Sequence, residues 1–302
     1  MPATSTSNRW DRYFTPKTVE EALGILREYD GEARVIGGGT DLFVEAPGRL
    51  QHPLQAVVDV TRIEGLDSIT EDGDNIEIGC GATHSQIAGS PLITEHGACL
   101  AESCGSIGGP QVRNVGTLSG NIAHALPAGD GTIGLLALGG EIEVAGAAGT
   151  NWMPLEDSFT GPGQSVIDHH RQILTRMRFP RTGRREGSAY KRVMRPQGLT
   201  LPIIAMGARV SLDTHEDLVS AARISLGPVA PVPYLAAAAA EVLVGHAATR
   251  ERFAMAAEVI LEHVSVRASK YRSSSAYREQ MVRSFVPVIL ERSVERAGGS
   301  AS

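Results

Sequence analysis

Two glycine-rich stretches hold the residues whose types and spacing suggest chemistry. The first is Gly37-Gly38-Gly39-Thr40-Asp41, inside VIGGGTDLFV, and the second is Gly116-Thr117-Leu118-Ser119-Gly120-Asn121, inside GSIGGPQVRNVGTLSGNIAHALPAGD. Glycine permits positive φ and lets the backbone approach a ligand closely. Turns of small residues expose several N–H groups at once and so bind anions without any basic side chain. The two stretches lie about 80 residues apart, and a pair of such turns can face one diphosphate from opposite sides. Spacing alone leaves the alternative of two ordinary structural turns open. A Rossmann turn fits poorly. Asp59 follows Gly39 at the distance of a ribose-binding acid, but Leu42 stands where the third glycine is required, and Pro47 and Gly48 interrupt the helix that should follow in FVEAPGRLQHP. No G-K-[ST] accompanies either stretch.

Other side chains offer little catalysis of their own. His169 and His170 are adjacent, so on a strand they would point to opposite faces, and no carboxylate is spaced to complete a chelating triad with either. His84 and His124 follow glycine-rich runs and are candidates to line a pocket. No G-x-S-x-G elbow is present. Cys80, Cys99 and Cys104 form no C-x-x-C pair, which predicts three ordinary buried thiols and no metal centre. The chemistry must then belong to a cofactor. A formal charge of -6 argues against a nucleic-acid surface, and no apolar run reaches the ~20 residues needed to cross a bilayer. MPATSTSNR lacks the layout of a secretion signal, which predicts a cytoplasmic address.

The elements that must position these residues are legible in outline. In TPKTVEEALGILREY, Thr18 and Glu21 form a capping box, and Val19, Ala22, Leu23, Leu26 and Tyr29 share one helical face. Short β-rich runs follow (ARVIGGG, AVVDVT, NIEIGCGAT, EIEVAG, QILTRMRF), with an apolar helix over TIGLLALGG that Gly139-Gly140 ends. Composition changes near Thr182 at the linker-like RTGRREGSAY. SAYKRVM, IIAMGARVSL and AARISLGPV then predict a small antiparallel sheet, and the alanine-rich stretch from Tyr234 to about Glu295 predicts helices, clearest in the alanine run 236–240. Strands followed by helices indicate an α+β module.

GGGTDL and GPQVRNVGTLSGNIAHALPAGD in this order, with AYKRV and RISLGPVAPVP downstream, resemble the FAD-binding subunit of the molybdenum hydroxylases. That family includes xanthine dehydrogenase, carbon monoxide dehydrogenase and 4-hydroxybenzoyl-CoA reductase. The resemblance runs from TPKTVEEAL to the C-terminal helices. It implies an α+β protein. A FAD-binding fold of the p-cresol methylhydroxylase and vanillyl-alcohol oxidase (PCMH/VAO) type would occupy 10–183, in subdomains of about 10–62 and 63–183. A C-terminal antiparallel sheet with helices would occupy 184–295, with tails at 1–9 and 296–302.

The resemblance also implies site residues. Gly37, Gly38, Gly39, Thr40 and Asp41 would meet the FAD diphosphate through backbone N–H groups and the Thr40 hydroxyl, with the Asp41 carboxylate turned away from the anion. Thr117, Leu118, Ser119, Gly120 and Asn121 would form the opposing wall, and Asp130 would bind a sugar hydroxyl. Leu174 would pack near the isoalloxazine, Tyr190 would cover the ring, and Lys191 would place a cation near its pyrimidine end. Tyr190 and Lys191 also read as an ordinary alternation across a half-buried strand.

This chain has Ser119-Gly120 where the family usually has Gly-Gly, a change expected to cost backbone freedom. It has Pro127-Ala128-Gly129-Asp130 where Ala or Ser usually precedes the Asp, and it lacks the cysteine-rich insert that holds a 4Fe-4S cluster in some relatives. The implied function is electron transfer from the 2Fe-2S clusters of a small subunit to FAD and on to NAD or another acceptor, beside a molybdopterin-binding large subunit. A stand-alone flavin oxidase or dehydrogenase, and an assembly module that has lost FAD, are the alternatives.

Overall fold

A computed structural model describes residues 10–44, 54–195, 201–213, 218–266, 268 and 273–301. The expected N-terminal tail 1–9 and most of the segment FVEAPGRLQHP lie outside the described residues.

The chain begins with β1 (Arg12–Phe14), α1 (Val19–Glu28), β2 (Ala33–Ile36) and β3 (Ala56–Asp59). The three strands form a parallel sheet in the order β1-β3-β2. Thr18 caps α1 by accepting the Glu21 N–H, while the Glu21 carboxylate accepts from Lys17 N–H rather than closing the box on Thr18. Ala22 and Leu26 bury the helix face against Val58 and Val60. Asp59, the acid a Rossmann reading would assign to a ribose, instead caps the turn after β3: it accepts from Thr61 N–H at 2.8 Å and from the Tyr13 hydroxyl at 2.7 Å. Leu42, at the missing third glycine, is buried with Ile36, Leu54 and Val57.

The next layer comprises β4 (Ile69–Asp72), β5 (Asn75–Gly79), the short helices α2 (His84–Gly89), α3 (Pro91–His96), α4 (Ala98–Gly105), α5 (Pro110–Arg113), α6 (Leu118–Ala123) and α7 (Asp130–Ala137), the strands β6 (Glu141–Gly146) and β7 (Gly149–Pro154), a hairpin of β8 (Phe159–Gly161) and β9 (Gln164–Ser165), and β10 (Ile173–Pro180). The main sheet has the order β4-β5-β10-β6-β7, with every pairing antiparallel. Side-chain caps start three of these helices. Thr83 and Gln86 form a complete capping box, Ser90 precedes Pro91, and Thr117 caps α6. Positive φ at Gly139 ends the apolar helix α7 where the sequence predicts.

The last unit comprises β11 (Glu186–Val193), β12 (Ile204–Leu212), β13 (Val219–Gly227), β14 (Tyr234–Leu235), α8 (Ala237–Glu241), α9 (Arg250–His263) and α10 (Ser275–Arg296). Its strands form an antiparallel meander with β11 at the edge. The alanine run yields only the single turn of α8; the long helices are α9 and α10, whose buried faces carry Phe253, Ile260, Val286 and Ile289. One sheet face packs on α9 and α10 through Met206, Ala208 and Val210. The other face packs on the preceding layer: a Cβ on Gly207 would lie 3.0 Å from the Ala137 methyl, and Ser225 donates to the Ile133 carbonyl at 2.7 Å.

Edge strand β11 is held by α4 rather than by another strand. Glu102 accepts the Tyr190 N–H at 2.8 Å, and its other oxygen accepts from Arg292 at 2.7 Å and Arg296 at 2.5 Å. Arg296 also donates to the Ser188 carbonyl at 2.6 Å. Ala297 is buried and Gly299 packs against Leu212, so the expected tail from 296 is anchored over Arg296 to Gly299, because its arginine and small residues close onto β11 and β12. Replacing Glu102 by Ala leaves a strand N–H and two guanidinium groups short of an acceptor and should lower stability by about 2 kcal/mol. Urea unfolding of Glu102→Ala measures this, and Glu102→Gln should recover part of the loss.

Candidate functional site

The glycines after β2 turn back at Gly39, whose φ of +69° suits glycine. They run against the loop that leads into α6. A Cβ on Gly38 would lie 1.8 Å from the Val115 carbonyl oxygen, and one on Gly37 would lie 2.7 Å from Thr117 Oγ1. The two stretches that the sequence singled out therefore touch, backbone against backbone.

Beside them opens a cavity of about 470 Å³, within the usual range for small-molecule sites. Gly37 to Asp41 line it on one side and Thr117, Ser119, Gly120 and Asn121 on the other, with Asp130 and Leu174 also in its wall. Three expected residues are elsewhere. Leu118 is fully buried in the core beneath α6. Tyr190 stands behind Asp130, to which its hydroxyl donates. Lys191 points to the opposite face of β11, its ammonium 5.2 Å from the centre of the Phe285 ring. The strand alternation decides this: Ser188, Tyr190 and Arg192 face α4 and α7, and Ala189, Lys191 and Val193 face α10. The β11 cation on the cavity side is thus Arg192, and Arg34 of β2 also lines the cavity. The same alternation, applied from Tyr190, was the signal that could have found Arg192.

The two sides of the cavity differ. Among the described residues, the N–H groups of Gly37, Gly38, Gly39, Thr40 and Asp41 donate to no protein acceptor. On the α6 side most donors are engaged: Gly120 N–H bonds Thr117 Oγ1 and Asn121 N–H bonds the Thr117 carbonyl, both at 3.1 Å. The first turn is the donor side and the second is a shaped wall. Ser119 sits in the helical turn of α6, where no positive φ is needed, so the cost expected of serine in place of glycine does not arise. Its hydroxyl donates to the Cys80 carbonyl at 2.6 Å, turned into the protein. Asn121 Oδ1 accepts the Thr132 N–H and hydroxyl, both at 3.0 Å, and so ties α6 to α7. The Asp41 carboxylate is 59% exposed and 3.3 Å from His124 Nδ1.

Asp130 begins α7 and is buried. Arg192 Nη1 lies 3.0 Å from its Oδ2 and also donates to the Ser106 carbonyl at 2.7 Å. Burial pushes the Asp130 carboxyl up to about 6 although Arg192 pulls the other way. Burial, with the nearby Asp130, holds the Tyr190 phenol well above its ordinary range. Three histidines line the cavity: His84, His124 and His169. His169 and His170 lie in a turn rather than a strand; His170 Nδ1 meets the Ala33 carbonyl at 2.7 Å while His169 faces the cavity. Burial lowers both His84 and His169 to about 4, with Arg113 adding to the first and Arg34 to the second. All three cysteines are buried, and burial pushes their thiols to about 12 or beyond.

A family profile described as the FAD binding domain in molybdopterin dehydrogenase matches residues 6–182, and one described as the CO dehydrogenase flavoprotein C-terminal domain matches 188–292. Among curated relatives, the nicotine 6-hydroxylase medium subunit of Paenarthrobacter nicotinovorans is 31% identical over 95% of this chain and 97% of its own length. The nicotinate dehydrogenase FAD-subunit of Eubacterium barkeri is 30% identical, covering 89% of this chain and 91% of that protein. Among solved structures, carbon monoxide dehydrogenase from Hydrogenophaga pseudoflava lacking the Mo-pyranopterin moiety superposes with a TM-score of 0.87 at 27% identity, over 95% of this chain and 98% of that one.

The cavity groups set a pH dependence. Between pH 4 and 6.5, His84 and His169 each bind a proton in the unfolded chain but not in the folded one, so their contribution is complete above 6.5 and lost as pH falls through 4. Asp130 opposes them, since between 3.8 and about 6 the folded form holds the proton. Two against one leaves the unfolded chain with the excess. Stability should fall as pH is lowered from 6.5 towards 4, by up to about 1.4 kcal/mol per pH unit. Urea midpoints across that range check this, and His169→Gln should flatten the slope.

Proposed function

This chain belongs to the family of FAD-binding medium subunits of the CO dehydrogenase and xanthine dehydrogenase type, and from that premise we propose that the cavity seats FAD with its diphosphate against Gly37 to Asp41. The observation that carries this reading is the packing of Gly38 on Val115, beside which the residues Gly37 to Asp41, their N–H groups unengaged, line the cavity. An anion satisfies such donors, and any side chain at Gly38 would fill the space that lets the two turns meet. FAD, when bound, accepts electrons singly and releases them in pairs.

The residues of this chain bind and orient it. Gly37 to Asp41 supply backbone donors, the Thr40 hydroxyl adds a side-chain donor, and Thr117, Ser119, Gly120 and Asn121 close the opposite side. Asp130 holds a sugar hydroxyl through lone pairs that Tyr190 and Arg192 leave over, and Leu174 contributes apolar wall. Arg192 takes the electrostatic role that the resemblance implies for Lys191, because it is the cation that β11 turns towards the cavity. The boundary between the FAD-binding domain and the C-terminal domain falls in the segment before β11, and Arg192 makes the cavity a joint construction of both.

The chain serves as the middle member of an electron relay. It receives electrons from the 2Fe-2S clusters of a small subunit, beside a molybdopterin-binding large subunit, and delivers them to NAD or another acceptor in the cytoplasm. The medium-subunit names of its relatives support this. No helix among the described residues is long and apolar enough to cross a membrane.

Titration of the purified full chain with FAD should give saturable binding with the flavin absorbance bands. Gly38→Val should weaken that binding at least tenfold while hydrogen-exchange protection of β11 to β13 and α10 is retained. Unchanged FAD affinity in Gly38→Val would return the glycine turn to a structural role.

A further inference from the structure

His84 is an unexplained feature of the cavity. It is the first residue of α2, 3% exposed, and its imidazole forms part of the cavity wall. Its backbone is engaged, donating to the Gly116 carbonyl at 2.9 Å. Its ring is not: Nδ1 is buried with no hydrogen-bond partner, and the imidazole makes no hydrogen bond among the described residues. A buried polar group in this condition costs free energy, and native proteins seldom keep one without a use.

The surroundings say what the use is. A Cβ built on Gly116 would lie 3.3 Å from His84 Cδ2 and 3.6 Å from Thr40 Oγ1, so the imidazole and the Thr40 hydroxyl flank the same small residue. Thr40 belongs to the donor-bearing turn. Arg113 does not partner the ring, because its guanidinium donates to the Ile107 and Gly108 carbonyls at 2.8 and 3.0 Å. Its charge and the burial keep the imidazole neutral at pH 7. A neutral imidazole carries one N–H donor and one lone pair.

We propose that His84 is a cofactor-binding residue, whose imidazole N–H donates a hydrogen bond to bound FAD at the end of the cavity shared with Thr40 and Gly116. This rests on the reading that the cavity seats FAD. Nδ1, sealed from the cavity, keeps the lone pair, and Nε2, bonded to the Cδ2 that lies beside Gly116 and Thr40, is the donor. A histidine kept only to fill the core would behave oppositely when replaced: it would affect the folded protein and leave cofactor affinity alone.

Three full-chain proteins discriminate: the natural sequence, His84→Leu and His84→Gln. Each is read by thermal unfolding without FAD and by the dissociation constant for FAD from fluorescence titration. Leu removes both ring nitrogens; Gln keeps an amide N–H at similar reach. The expected result is an unfolding temperature for cofactor-free His84→Leu no lower than that of the natural chain, a loss of FAD affinity of tenfold or more, and affinity within about threefold of natural for His84→Gln. Equal affinity in all three proteins overturns the proposal while leaving the FAD reading intact. Failure of the natural chain to bind FAD overturns both.

Should His84→Leu not fold, nitrogen-15 labelling of the histidines in the natural chain decides. An imidazole N–H resonance that appears or shifts on adding FAD and is missing from His84→Gln supports the assignment, and a spectrum indifferent to FAD refutes it.

Discussion

Gly38 and Val115 meet with so little space between them that a Cβ on the glycine would sit 1.8 Å from the carbonyl oxygen, and the arrangement of the cavity depends on that approach. It brings the turn after β2, from the small parallel sheet, against the loop that enters α6, from the larger antiparallel one. Two subdomains with separate cores are thereby joined along a seam of backbone. The seam has a direction. Peptide N–H groups on the Gly37 to Asp41 side have no protein acceptor among the described residues, whereas those opposite are mostly engaged within the protein. A site formed this way recognises an anion by dipoles fixed in the main chain, with no surface charge required. Such a site would let a chain with formal charge -6 accommodate the diphosphate that the proposal assigns to it.

A second junction completes the enclosure. Among the described residues the edge strand β11 has no strand partner on its outer side, and Glu102 of α4 takes up the Tyr190 N–H in place of one. Docking in this way turns Tyr190 and Arg192 inward onto Asp130. Removing two charges from water is costly, and this buried pair has that cost offset by its 3.0 Å contact and further hydrogen bonds. Here it fixes where the C-terminal domain meets the cavity. The cavity wall and the docking of the C-terminal domain therefore draw on the same side chains, Asp130 and Arg192.

Much of this was legible in the sequence, for physical reasons that differ by element. Glycine runs are visible because only glycine tolerates such approaches, and the pair GGGTDL and GTLSGN is found together in the cavity wall. The cap at Thr18 and the stop at Gly139 were read correctly because they are local. What failed was nonlocal. Lys191 was placed beside the flavin, but which face of β11 looks inward is decided by α10 and α4, which lie about a hundred residues away in opposite directions. The alanine run 236–240 does form helix, but α8 is a single turn seated on Ala239 and Ala240, and the long helices lie further on in α9 and α10. The end of the chain read as a tail because the partners of Arg296, Glu102 and the Ser188 carbonyl, are far away in sequence. Ser119 was read as a cost because its helical conformation and the Cys80 carbonyl were both out of view.

The central claim is that two glycine turns form one diphosphate site with its donors on one side. A crystal structure of the full chain with FAD tests it directly. The account predicts diphosphate oxygens at about 3 Å from backbone N–H groups within Gly37 to Asp41, with Thr117 to Asn121 closing the opposite side. A diphosphate held chiefly by the α6 turn, or seated outside the cavity, would contradict it.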